Sequence, residues 1–271
     1  MSGVVTLTVR APVLAPLEAD CIAPDRFAAL SEPEIARLPL WAGRRRHALG
    51  DVFDVHGGQA PHVRVVGDVR HVVGLGSTMT AGVLVIDGNA GPRTGAGMAG
   101  GAIEVHGDAA DDLGVGMTGG VIHVRGNAGD RVGAGATGAS RGMTGGEIVI
   151  DGSVGRDAGA RMRRGLLFVA RDSGDRAARA IIAGTVIVLG NVGTEPASGS
   201  KRGTLVVGGQ VEVPATYRYA STYAAPHVRL ALTHVSRRYR IAIDARFTER
   251  PYRRFCGDAG TVGRGEILWL T

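Results

Sequence analysis

Aromatic residues make up only 4% of this 271-residue chain, so its core must be aliphatic. Cysteine is nearly absent. Cys21 and Cys256 alone give no disulfide framework and no paired-cysteine metal motif, which points to a reduced, cytoplasmic setting. No run of eighteen apolar residues occurs, so no membrane span is expected. Met1–Arg10 lacks the charged start and apolar run of a secretory leader. A three-residue glycine period is also missing, which excludes collagen despite 44 glycines. Branched aliphatics recur between those glycines, against disorder. Many tight turns around an aliphatic core remain. The net charge of +6 fits an acidic partner, and an arginine-rich solvated surface accounts for it as well. No nucleic-acid or membrane partner is expected.

What is present is a repeat. Glycines open successive units at Gly82, Gly101, Gly120, Gly146, Gly165, Gly184 and Gly203. Every step is 19 residues except that from Gly120 to Gly146, which is 26. The extra seven residues fall near Ala136–Gly142, and a less regular unit covers about Pro61–Ala81. Counting from each opening glycine, position 3 reads Leu84, Ile103, Ile122, Ile148, Leu167, Val186, Leu205. Position 5 reads Ile86, Val105, Val124, Ile150, Val169, Val188, Val207. Period two puts both columns on one strand face, pointing inward, with positions 4 and 6 outward. Position 9 is small or aliphatic, and position 17 holds Met98, Met117, Met143, Met162 and Ile181. A 19-residue unit is too short for a βαβ crossover or a propeller blade. It fits one turn of an all-β, right-handed parallel β-helix of seven to eight coils, each stacked at about 4.8 Å on the last. The expected organisation is an N-terminal strand and helix cap over 1–60, the solenoid over 61–213, and a C-terminal cap and partner-contact segment over 214–271.

Gly95–Gly100, Gly114–Gly119 and Gly133–Gly138 each match G-x-G-x-x-G. Dinucleotide binding needs that motif between a strand and a helix. Here it recurs in register with the coil, so corner geometry explains it. Stacking positions 4 and 6 brings Glu104 beside His123, Asp87 beside His106 and Arg125 beside Asp151. Two histidines and two carboxylates could ligate a metal. Attractive cross-coil pairs explain the pattern fully, so no metal site is assigned. No nucleophilic triad or Cys/His pair has supporting context, so no catalytic residue is assigned. Arg161, Arg163, Arg164, Arg179, Lys201 and Arg202 gather at late coil positions, where a basic stripe would meet an acidic tail or a partner.

Before the coils, Thr6–Val9 alternates as a strand. Ser31-Glu32-Pro33-Glu34 has the form of a capping box for a helix over Glu32–Arg37, and Asp51–His56 reads as a strand. After Val213 the period ends. Val228–Leu232 and Tyr239–Ile243 alternate and predict two strands, and Ile267-Leu268-Trp269-Leu270 forms an apolar tail within the cap.

The run Ser31–Gly57, followed by coils of the form G-x-I-x-V-x-G-N-A-G-x-x-x-G-x-G-M-x-G, resembles the C subunit of formylmethanofuran dehydrogenase. The coil also resembles the C-terminal domain of the glutamate synthase large subunit. The resemblance covers about Ser31–Val213, with an echo in Phe255–Ile267. It implies a scaffold subunit in one-carbon metabolism, working with an amidohydrolase-like metal subunit, a formyltransferase subunit and a dehydrogenase-B-like subunit. In the bacterial form such a complex moves formyl from a tetrahydromethanopterin carrier to a methanofuran analogue and hydrolyses it to formate. In the archaeal form it reduces carbon dioxide. The Ala/Arg/Gly-rich composition favours the bacterial form. The resemblance transfers no catalytic residue and no cofactor bound by a site of this chain's own. The analogue's polyglutamate tail would give the basic stripe a purpose. A stand-alone β-helix enzyme is the competing reading.

Overall fold

The structure is a computed structural model that describes residues 3–271. Before the regular repeats come β1 (Val5–Val9), β2 (Leu17–Glu18), β3 (Pro39–Ala42), β4 (Arg45–Ala48), β5 (Phe53–His56), β6 (His62–Val66) and β7 (Val72–Val73). The repeats supply β8 (Val83–Asp87), β9 (Ala102–Val105), β10 (Val121–Val124), β11 (Glu147–Ile150), β12 (Leu166–Val169), β13 (Thr185–Val188) and β14 (Thr204–Val207). The chain ends with β15 (Arg218–Tyr223), β16 (Tyr252–Gly257) and β17 (Gly265–Leu270). Thirteen of these strands form one mostly parallel sheet, in the order β15-β16-β17-β14-β13-β12-β11-β10-β9-β8-β6-β1-β5.

Each repeat pairs with the next at equal positions: Ile103 with Ile122, Ile122 with Ile148, Ile148 with Leu167. The other sides of the repeat stack too. Position 9 forms a column of parallel bridges from Val69 through Ala90, Ala109, Ala128, Val154 and Ser173 to Val192. At the methionine corner, the Thr118 amide donates to Met98 O and the Arg163 amide to Met143 O, both at 2.8 Å. Positions 3 and 5 and the methionine column are fully buried, as their apolar periodicity requires. The seven-residue insertion leaves this register intact and protrudes as a loop.

Two corners are held by side chains in place of strand ladders. At position 8, Asn89 Oδ1 accepts from the Asp108 amide at 2.9 Å, Asp108 from Asn127 at 2.7 Å, and Asn127 from Ser153 at 2.9 Å. At position 11, Asp111 and Asp130 do the same for the next coil. Each carboxylate or amide thus satisfies a backbone donor that a bending chain would leave unpaired.

Two of the three glycine motifs serve corners in two ways, while the third runs into the inserted loop, where nothing lies within 4 Å of a Cβ on Gly138. Gly95, Gly97, Gly114 and Gly116 have φ between +61° and +67°. Gly100 and Gly119 instead lie against the preceding coil, where a Cβ would come within 2.2 Å of Thr80 O and 2.3 Å of Ala99 O. Position 12 is left-handed without glycine. Arg93, Asp112, Arg131, Asp157, Arg176 and Glu195 have φ from +55° to +63° and alternate in sign. Arg131 grips Asp112 through two hydrogen bonds of 2.7 Å, and Arg176 grips Asp157 at 2.6 and 3.1 Å. Those bonds offset part of the backbone strain of about 1–2 kcal/mol per residue.

The ends depart from expectation in three places. Residues 49–52 form a helical turn, α3 (Leu49–Val52), so the expected Asp51–His56 strand shortens to β5. Asp51 turns back to accept from the Ala48 amide at 2.8 Å, which holds the turn. The two short helices before it are α1 (Pro24–Phe27) and α2 (Glu32–Ala36), and Glu34 accepts from the Ser31 amide at 2.8 Å as the capping box predicts. The second departure is larger. The strands expected over Val228–Leu232 and Tyr239–Ile243 are absent. One helix, α4 (Pro226–Tyr239), occupies the first, and a short α5 (Arg246–Glu249) follows. Val228, Leu232, Val235 and Tyr239 recur at helical spacing and are buried, while Leu230, which completed the apparent alternation, is 71% exposed. Third, the apolar tail is a further rung as well as a cover: β17 adds in parallel to β14 and sets Ile267 on Leu205.

Candidate functional site

The outward face of the ladder divides at β11. Position 4 is Val85, Glu104 and His123 in the earlier coils but an unbroken apolar run, Val149, Phe168, Ile187 and Val206, in the later ones. The later four are buried beneath α4, in a second apolar cluster with Val228, Leu232 and Val235. Position 4 points outward throughout but is not uniformly exposed. The aliphatic change from Val149 onward was a signal that this face is covered, and only the helix shows by what.

The earlier part carries the charged pairs. His106 Nδ1 lies 2.7 Å from Asp87 and Arg125 lies 3.8 Å from Asp151, as stacking predicts. Glu104 and His123 are register partners, yet each turns to a diagonal neighbour. Glu104 accepts from Arg125 at 2.8 Å, and His123 Nε2 lies 2.8 Å from Asp151. The Arg125 hydrogen bond holds the Glu104 carboxyl below its ordinary range. His123 is buried because the Tyr239 ring of α4 meets it edge-on at 5.0 Å. Every carboxylate here is engaged by an arginine or a histidine. Among the described residues no three His, Cys, Asp or Glu side chains gather as a metal-holding group.

The six basic residues separate into two sets. Arg163, Arg164, Lys201 and Arg202 line one open recess of about 530 Å³. They do not form a continuous stripe. The Ile182 amide donates to Met162 O and the Lys201 amide to Ile181 O, so the Ile182-Ala183 rung lies between them. Two cation pairs therefore bracket an apolar rung, about 10 Å apart at two strand spacings. None of the four forms an ion pair among the described residues. Arg161 and Arg179 belong elsewhere. Arg161 donates to Ala139 O at 2.7 Å and ties down the inserted loop, while Arg179 donates to Asp157 at 2.9 Å. Val262, 57% exposed, forms one wall of the recess. It comes from the loop before β17, a contact sixty residues away that no local pattern announces. That loop is anchored by Asp258, which accepts from the Gly199 amide at 2.8 Å and the Gly260 amide at 2.9 Å.

No family model matches the chain. The C subunit of molybdenum-containing formylmethanofuran dehydrogenase 1 from Methanosarcina barkeri is 39% identical over 80 residues, covering 28% of this chain and 27% of that protein. The C subunit of tungsten-containing formylmethanofuran dehydrogenase 2 from Methanothermobacter wolfeii is 37% identical over 98 residues, 34% of this chain and 36% of that protein. The match thus spans between a fifth and about a third of the length of the curated relatives. A solved chain is similar throughout. It comes from the X-ray structure of the formyltransferase/hydrolase complex of Methylorubrum extorquens with methylofuran, at 33% identity and a TM-score of 0.92, covering 98% of this chain and 99% of that one. The chain belongs to the C-subunit family of formylmethanofuran dehydrogenase. For a member of that family, the C-terminal helix, charged ladder and bracketed recess are the surface features to account for. No helix among the described residues is long and apolar enough to cross a membrane.

Proposed function

We propose that this chain is a non-catalytic scaffold subunit of a cytoplasmic formyltransferase/hydrolase complex. Its partners, an amidohydrolase-like metal subunit, a formyltransferase subunit and a dehydrogenase-B-like subunit, move formyl from a tetrahydromethanopterin carrier to a methanofuran analogue and release formate. The near-complete likeness to a chain of the Methylorubrum complex carries this reading. We read the stacked repeats as a right-handed solenoid of seven to eight coils over 61–213, with 1–60 and 214–271 as its ends. Its interior is filled by the inward columns, which suits a rigid spacer between catalytic partners. The bracket of Arg163, Arg164, Lys201 and Arg202 has the charge and spacing to hold carboxylates of the analogue's polyglutamate tail.

Purification from the native cells through a tag on this chain tests the assignment. Subunits with formyltransferase and hydrolase activity are expected to co-purify, and the isolated chain to have neither. Turnover by the isolated chain would overturn the scaffold role. Partial likeness to the archaeal subunits supports a second reading, the C subunit of a carbon-dioxide-reducing dehydrogenase, and co-purifying molybdenum or tungsten would favour it. Charge reversal of the four bracket residues is expected to lower retention of the acidic cofactor. Full retention would make the recess ordinary surface.

A further inference from the structure

The net charge is unevenly placed. Of 31 basic and 25 acidic residues, ten and four lie in 214–271, leaving 21 of each over 1–213. The whole +6 therefore sits in the C-terminal segment. The same segment holds an open sheet edge. β15 ends the large sheet, bonds only to β16, and exposes Arg218, Tyr219, Ala220 and Thr222. A bare edge presents unpaired N–H and C=O groups, and soluble proteins usually blunt it with lysine, proline or a covering element. The β15 sequence, Arg-Tyr-Ala-Ser-Thr-Tyr, has neither lysine nor proline, and its one irregularity is a register shift between Tyr219 and Ser221 that leaves Ala220 unpaired with β16. Two arginines flank it. Arg218 opens the strand, and Arg253, opposite Thr222, lies over the rings of Tyr219, Phe255 and Trp269 at 5.7, 5.2 and 5.3 Å. Neither forms an ion pair among the described residues. Stacking on rings restrains a guanidinium while leaving its N–H edge available.

We propose that β15 is a docking edge that accepts an extended acidic segment of a partner subunit as an added strand. Backbone hydrogen bonds along the edge supply affinity. Arg218 and Arg253 select the acidic sequence by pairing with its carboxylates. This rests on the chain's being one member of a complex and is independent of what fills the basic recess.

Hydrogen exchange on the tag-purified complex and on the isolated chain tests it. Amides of β15 that face away from β16 are expected to exchange about 100-fold slower in the complex. A photo-crosslinker at Ala220 is expected to capture a partner peptide richer in Asp and Glu than in Lys and Arg. The double variant Arg218→Glu with Arg253→Glu is expected to lower partner recovery about tenfold, and the lysine pair to restore much of it. An intact complex with unchanged β15 exchange overturns the proposal, as does capture of a neutral or basic peptide. Protection that grows with concentration in the isolated chain would assign the edge to a second copy and overturn it too. Recovery of no partner would remove the scaffold reading itself.

Discussion

The Tyr239 hydroxyl donates to Glu147 Oε2 at 2.6 Å, joining the last turn of α4 to the first residue of β11 across 92 positions. His234 Nε2 lies 2.8 Å from the other oxygen, Oε1, and Arg238 Nε lies 3.7 Å from Oε2. Glu147 is thus the latch that fixes the C-terminal helix over the later coils. Tyr239→Phe removes a hydrogen bond to a charged group, and a loss of about 2 kcal/mol in urea unfolding is expected. A loss under about 0.5 kcal/mol, by the same measurement, would mean the helix is held by apolar packing alone.

Phe168 is the largest position-4 side chain beneath α4 and is fully buried. Phe168→Ala should cost about 3–5 kcal/mol through lost burial and the cavity left behind. Amide exchange in α4 should quicken by more than in β8. Equal effects on both would show that helix and early coils unfold as one unit.

The corner glycines separate two costs. At Gly116 φ is +67° and nothing lies within 4 Å of a built Cβ, so Gly116→Ala should cost only backbone strain, about 1–2 kcal/mol. At Gly119 a Cβ would come within 2.3 Å of the Ala99 carbonyl oxygen in the preceding coil. Gly119→Ala should therefore be much the more damaging, lowering soluble yield and melting temperature together. Similar melting temperatures for the two variants would refute the close-approach account.

The pH range of stability follows from opposed shifts. Hydrogen bonding to Arg176 lowers the Asp157 carboxyl, and bonding to Arg125 lowers Glu104. Their contribution is present above the ordinary carboxylate values and is lost as pH falls through the lowered folded values. Burial pushes the Tyr217 and Tyr252 phenols up to about 12, and raises Tyr239 as well. Their contribution is present below about 10, the ordinary phenol value, and is lost as pH climbs through the folded values. Unfolding free energy should be flat from about pH 5 to 9 and fall on both sides. Asp157→Asn should lower the plateau by about 1 kcal/mol and flatten the acid limb. An unchanged acid limb would show that Asp157 is not a main contributor.

The stacking order was legible because one chemical choice repeats at fixed spacing. Ile103, Ile122 and Ile148 must all point inward, and only equal positions on neighbouring coils achieve that. Ser31 and Glu34 announced their helix turn for an equally local reason. The α4 segment was misread because Val228, Leu230 and Leu232 alternate over five residues, and the helical pair Val228 and Leu232 is contained in that alternation. Val235 and Tyr239 favour the helix, and the buried face of the later coils supplies the partner that rewards it. Glu104 and His123 were correctly aligned yet turn diagonally, since side-chain rotamers answer to every charge within reach and not to register alone.

The amino-acid sequence by itself determined the 19-residue unit, its inward columns and its glycine corners, because each depends on contacts between like positions in adjacent coils. The tertiary structure alone decided which cations share a recess, what covers β11 to β14, and which strand is left as an open edge. Those features join residues far apart in the chain. They depend on where the non-repeating C-terminal segment folds back, which no period encodes.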